Sequence, residues 1–184
     1  GTTALSLAMR ALRCGELDSA LVGAVDLSCE KVHSSAVEAL AAGRPMPPGD
    51  AAVVLVVKRL EDAERDGDRV WAQIEERGDP DEETREENGA PLHLSGEGPA
   101  SLVPRFGHAH AASDLVHVAA AALTLHNRRL PGGRPWLPSG VSARVARVAV
   151  PGGPSIRLSE AEAHPRRGED DAPRLRGFAG PDRA

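Results

Sequence analysis

ALSLAMRALRCGELDSALVGAVDL, residues Ala4 to Leu27, decides the fold class. In its first half apolar side chains recur at Leu5, Ala8, Met9 and Leu12, the spacing of one helix face. A helix is predicted over Thr2 to Arg13, stopped by Cys14-Gly15, because a glycine just past the last turn takes the left-handed conformation without a steric cost. The second half, SALVGAV (Ser19 to Val25), is short, apolar and β-branched. It predicts a strand buried on both faces. A helix that feeds such a strand is the grammar of an α/β fold.

Working outward, Glu30 to Ala41 predicts a second helix, and GRPMPPGD (Gly43 to Asp50) a turn region in which Asp50 supports the sheet. AAVVLVVKRL (Ala51 to Leu60) is the strongest strand in the chain, with Val53, Val54, Val56 and Val57 suited to a pleated surface. A polar connection follows over Glu61 to Arg69, then VWAQI (Val70 to Ile74) as a partner strand. Arg77 to Gly98 reads as an acidic exposed loop, with Asp79 to Glu87 solvated. A long alanine-rich helix is predicted from His108 to Arg129, stopped by Pro131-Gly132-Gly133. RVARVAV and SIRLS (Arg144 to Val150, Ser155 to Ser159) predict two short strands around the turn Pro151 to Pro154. Residues 1–160 are expected to form the folded part, and 161–184, charged and rich in Pro and Gly, a disordered tail.

The chain has 184 residues, 41% of them apolar and only 2% aromatic, with no Tyr. Its core must be built from Ala, Val and Leu. A net charge of −5 argues against the basic, aromatic-studded surface of a nucleic-acid binder. No apolar run reaches the length of a membrane span, and no signal peptide opens the chain. Two cysteines, Cys14 and Cys29, form neither a disulfide framework nor a zinc pattern, so a reducing, cytoplasmic setting is the default expectation. Both are read as structural: Cys14 as a small buried residue, Cys29 as a residue at the end of a strand. The chain opens at Gly1 almost directly into a helix, which suggests the trailing part of something longer.

Three segments, in order, resemble the β-ketoacyl synthases (ketosynthases) of polyketide and fatty-acid synthases. Ala4 to Leu27 resembles the helix and strand that follow the family's nucleophilic cysteine. PGDAAVVLVVKRLEDAERDGDRVWAQI (Pro48 to Ile74) is similar to the family's Gly-Asp-Gly-Ala-Ala strand and the link after it. Phe106-Gly107-His108 is similar to the end of the family's Lys-Ser-Asn-Ile-Gly-His motif, and the alanine-rich helix and Leu-Pro follow as they do there. The resemblance implies an α/β, thiolase-like fold of layered αβαβα type, incomplete in this chain. It also implies acyl transfer from a carrier protein to a cysteine, with no cofactor bound directly. The acyl groups would arrive on the phosphopantetheine arm of an acyl carrier protein. Of the family's Cys-His-His set it assigns His108 alone, as a catalytic remnant. The cysteine would fall just before Gly1. His-Gly-Thr-Gly-Thr is absent, Val103 stands in the place of the motif's lysine, and the closing Gly-rich motif is reduced to Gly152-Gly153-Pro154-Ser155. These departures imply a non-catalytic, chain-length-factor-like partner of a ketosynthase subunit, dimerising through an edge near Ser19 to Val25. The alternative is an active ketosynthase whose cysteine precedes Gly1.

His110, Asp114 and His117, one helical turn apart and joined by His108, also suit a helix-borne metal site, the weaker third reading. Otherwise His110, His117 and His126 are expected at the surface or an interface. Arg128-Arg129 and Arg166-Arg167 are the basic pairs suited to an acidic carrier protein.

Overall fold

The computed structural model describes residues 1–40, 47–75, 92–95, 101–136, 144–150 and 155–161. Helix α1 (Thr2–Arg13) forms where the periodicity requires it. Gly15 ends it at φ +71°, its N–H returning to the Leu12 carbonyl (3.1 Å) and that of Glu16 to the Ala11 carbonyl (2.9 Å). This is the two-bond glycine stop.

The chain then runs through β1 (Ser19–Leu27), α2 (Lys31–Leu40) and β2 (Asp50–Lys58). β1 and β2 pair antiparallel, from Ser19↔Lys58 to Leu27↔Asp50, as a two-stranded sheet among the described residues. Val22 is buried, and Ala24, Val53, Leu55 and Val57 pack beside it against the core. Leu21, Val25, Leu27, Val54 and Val56 lie on the opposite face and are exposed. The expected strand buried on both faces is therefore buried on one, because the helices that pack on this sheet lie on a single side of it.

Helix α3 (Leu60–Asp66) ends at Gly67, φ +70°, by the same device as α1. The reversal carries the chain out of the first sheet. Val70 to Ile74, expected as a partner of the preceding strand, yields only β3 (Gln73–Glu75), and β3 pairs elsewhere. It joins β4 (Leu92–Leu94), β5 (Val145–Val148) and β6 (Ile156–Ser159) in a mixed sheet of order β3-β6-β5-β4. The β4–β5 pair is parallel and the other two are antiparallel. Glu160, just after β6, accepts from both Arg128 and Arg144 at 2.7 Å.

Between the sheets lies α5 (His110–Asn127), which the short α4 (Val103–Phe106) precedes. α5 is two residues shorter at each end than the helix expected over His108 to Arg129, since Arg128 is left-handed at φ +54°. One side of α5 packs on β1 and β2, the other on β5 and β6. Ala112, Leu115, Val118, Ala121 and Leu125 are buried along it. A helix clad in apolar residues all round is one buried on opposite sides, and its alanines let both sheets come close. The described core is thus sheet, helix, sheet, with α1 on the inner face of the first sheet. The expected tail, 161–184, lies outside the described residues after Ala161.

Two glycines join the first sheet to the loop ahead of α5. The Gly49 N–H donates to the His108 carbonyl (3.1 Å), and the His108 N–H donates to the Pro47 carbonyl (2.7 Å). A Cβ on Gly49 would overlap the Phe106 carbonyl and stand 2.8 Å from the Gly107 Cα. A Cβ on Gly107, at φ +73°, would overlap the Pro48 carbonyl. Gly49→Ala is expected to cost about 3 kcal/mol or more of unfolding free energy by urea titration. Gly23→Ala, whose nearest contacts are at 3.5 Å, serves as the control and should change stability far less.

Candidate functional site

The glycine junction fixes the backbone of His108, and one further bond fixes its ring. His108 Nδ1 accepts the backbone N–H of His110 at 3.2 Å. A neutral imidazole has one donor and one acceptor nitrogen, so neutral His108 carries its proton on Nε2. The ring is half-buried. That burial, aided by nearby His110, holds its pKa below the ordinary imidazole value against the opposing pull of Asp114 and Asp26. His108 is therefore an uncharged N–H donor at neutral pH. That is the group needed to hold a developing oxyanion without first losing a proton.

Asp26, at the end of β1, lies beside this ring. It accepts the Ser28 hydroxyl and, at 3.4 Å, the backbone N–H of Ala111 in the first turn of α5. The Ser28 bond is the main cause holding its carboxyl below the ordinary range; the Ala111 N–H and the imidazoles of His110 and His33 add to it. Helix α1 starts at the same place. A Cβ on Gly1 would stand 3.0 Å from the Ala111 carbonyl oxygen, 3.3 Å from Leu115 Cβ and 3.4 Å from Ala24 Cβ. The N-terminal ends of α1 and α5 therefore meet beside His108.

The other histidines divide. His110 is exposed, and its Nε2 lies 3.1 Å from His33 Nε2 of α2. His117, expected at the surface or an interface, is 2% exposed and lies in the interior. Its Nδ1 bonds the Ser113 carbonyl at 2.8 Å, and its Nε2 faces the Leu102 N–H at 3.5 Å, which pins the start of α4 to α5. It turns inward because mid-helix it faces α4, whereas His110 sits at the open end of α5. His126 is exposed, its ring 4.5 Å from that of Trp71. With His117 spent inside, the metal set of His108, His110, Asp114 and His117 is not assembled. Among the described residues no group of three or more His, Cys, Asp and Glu side chains could hold a metal ion.

Cys14, expected to be buried, is exposed, because it caps α1 where the chain turns outward. Cys29 is also exposed; its N–H donates to the Asp50 carboxylate at 2.8 Å. Partial desolvation by its neighbours first, and Asp50 second, push its thiol above the usual value, so it is a poor thiolate. Val103 is buried in α4. Arg128 is bound to Glu160, and Arg129 donates to the Gly133 carbonyl at 3.0 Å. Asp79 to Glu87, Pro151 to Pro154 and Arg166-Arg167 lie outside the described residues. The sequence did not single out His33 or Asp26. Neither carries a local signal; 77 residues separate His33 from His110, and only the fold joins them.

Solved ketosynthases share this fold. The ketosynthase from module 6 of the bacillaene synthase of Bacillus subtilis 168 superposes with a TM-score of 0.63 over 86% of this chain, at 17% identity. An oxazolomycin ketosynthase domain of Streptomyces albus JA3453 does so with a TM-score of 0.61 over 89%, at 19% identity. The fold is ketosynthase-like. The chain spans 45% and 46% of the length of these two ketosynthases. In sequence it is 36% identical over 84 residues, 39% of its length, to the highly reducing polyketide synthase stpks1 of Strobilurus tenacellus, of which that stretch is 3%. No family model matches the chain. Among the described residues no helix is long and apolar enough to cross a membrane.

The lowered pKa of His108 sets a pH dependence for the ketosynthase-like fold. A histidine whose folded pKa lies below its unfolded value takes up its proton more readily when unfolded. Stability is therefore full above about 6.5, the unfolded value, and falls as the pH drops from there through the lowered folded value. Denaturant midpoints taken across this window should show that fall, and His108→Gln should flatten it. His117→Ala should cost about 2–4 kcal/mol, through a cavity and a Leu102 N–H left without its acceptor, as measured by urea unfolding.

Proposed function

We propose that this chain is a ketosynthase-like domain of a polyketide or fatty-acid synthase, and that it holds the thioester carbonyl of an acyl or malonyl group at His108. The observation that carries the reading is the ring of His108, locked through Nδ1 and uncharged, with Nε2–H left to donate. When a nucleophile attacks a thioester, negative charge gathers on the carbonyl oxygen, and a fixed N–H lowers that barrier. The acyl group would come on the phosphopantetheine arm of an acyl carrier protein, so no cofactor binds to this chain directly.

The nucleophile is not Cys14 or Cys29. Cys14 lies at the far end of α1 from His108, and the Cys29 thiol is held protonated. A cysteine directly ahead of Gly1 would enter at the junction of α1 and α5, beside His108. The test supplies the protein with acyl- and malonyl-carrier thioesters and follows adducts and ketoacyl product by mass spectrometry. Turnover that falls about 10²–10³-fold in His108→Ala supports the reading. An acyl adduct on Cys29 would sink it.

The second reading is a chain-length-factor-like partner, which shapes an acyl tunnel without chemistry of its own. Val103, buried where the family motif has lysine, and the missing His-Gly-Thr-Gly-Thr favour it. So does the open apolar face of Leu21, Val25, Leu27, Val54 and Val56, which suits burial against a ketosynthase subunit or a second copy along β1. Under this reading no adduct or product forms with the protein alone, and product length changes when it is added to an active ketosynthase subunit. Val56→Lys would then weaken the association, as read by sedimentation.

A further inference from the structure

His110 carries strain that its helix does not require. It sits at φ +31°, a left-handed value that costs a non-glycine residue about 1–3 kcal/mol and persists where the surroundings enforce it. Two bonds hold it there. Its backbone N–H donates to His108 Nδ1 at 3.2 Å. Its ring Nε2 lies 3.1 Å from Nε2 of His33, the rings edge to face with centroids 4.9 Å apart. The His108 ring stands 4.7 Å away on its other side.

A contact between two Nε2 atoms at this distance is a hydrogen bond only when one nitrogen carries the proton and the other is bare. The neutral pair therefore holds one ring as Nε2–H, with a bare Nδ1, and the other as Nδ1–H. It offers one base and one acid at the same time. When the bare Nδ1 takes a proton, the shared proton crosses the 3.1 Å bond and the far Nδ1–H is released. The tautomers exchange and the charge does not change. The carboxylate of Asp26, from β1, acts on both rings, and His108 stands against His110.

We propose that His33 and His110 form a proton-relay couple for the thioester site at His108, one ring taking up a proton at its Nδ1 while the other releases one from its own. The role rests on the reading of His108 as a thioester site. In thioester transfer the attacking group loses a proton as its bond to the carbonyl carbon forms. The carbon–sulfur bond breaks, and the leaving thiolate gains a proton. The couple takes up the first proton and delivers the second, with no net change.

The test is long-range ¹H–¹⁵N spectroscopy of the whole chain at mildly alkaline pH. The two rings should show opposite tautomers, one Nε2–H and one Nδ1–H. In His33→Ala the His110 ring should relax to the mixed tautomers of free imidazole, and His33→Gln, which can still bond Nε2, should hold a single one. Identical or averaged tautomers in the unaltered protein overturn the couple. So does stoichiometric zinc uptake that shifts both Nε2 signals, since the pair would then be a metal ligand set. In the thioester assay His33→Ala should lower kcat about tenfold or more with KM little changed, as loss of acid–base help does. Opposite tautomers with kcat unchanged in His33→Ala overturn the relay but leave the His108 reading standing. No turnover in the unaltered protein fails that reading, and with it the relay's role, while the tautomers still decide whether the couple exists.

Discussion

Gly49 and Gly107 stand backbone to backbone, each where a Cβ on one would collide with the strand or loop of the other. Their contact ties the entrance of β2 to the entrance of α5, and most of the local order follows from it. His108 is held by hydrogen bonds on both sides of its peptide, to Pro47 and Gly49. Asp50, one residue on, binds the Cys29 N–H and closes the turn between β1 and α2. Any side chain larger than hydrogen at either glycine would separate these elements and leave His108 without a fixed direction.

The helix that begins at this junction is the central member of the core. α5 is apolar on opposite sides because each side meets a different sheet. That arrangement explains why so small a set of aromatics suffices. Alanine and valine fill the narrow spaces on either side of a closely packed helix, where rings would not fit. It also explains the exposed face of β1 and β2: α1 and α5 both pack on the inner side, and nothing among the described residues packs on the outer one.

Electrostatically the site is a meeting of imidazoles with the carboxylates of Asp26 and Asp114. Asp26 is kept ionised by Ser28 and by the first turn of α5, while burial keeps His108 neutral. The two effects act through different neighbours and leave a donor beside an acceptor. A neutral donor fits the polarisation of a thioester.

Much of the fold was legible in the sequence, because local rules govern it. The periodicity of Leu5, Ala8, Met9 and Leu12 and the stop at Gly15 determined α1; the valines of Ala51 to Lys58 determined β2; and the ordered motifs around Gly49-Asp50 and Gly107-His108 pointed to a ketosynthase-like fold. Tertiary structure alone decided which face of a strand is covered, which sheet β3 joins, and which histidines meet. A strand's alternation does not say whether one or both faces find a partner, so β1 read as buried on both. Helical spacing put His110 and His117 on one stripe, yet the end of α5 is open and its middle is walled by α4, so one ring meets His33 and the other is spent in the core. Contacts between residues as distant in the chain as His33 and His110 have no local signature, and the fold is what brings them together.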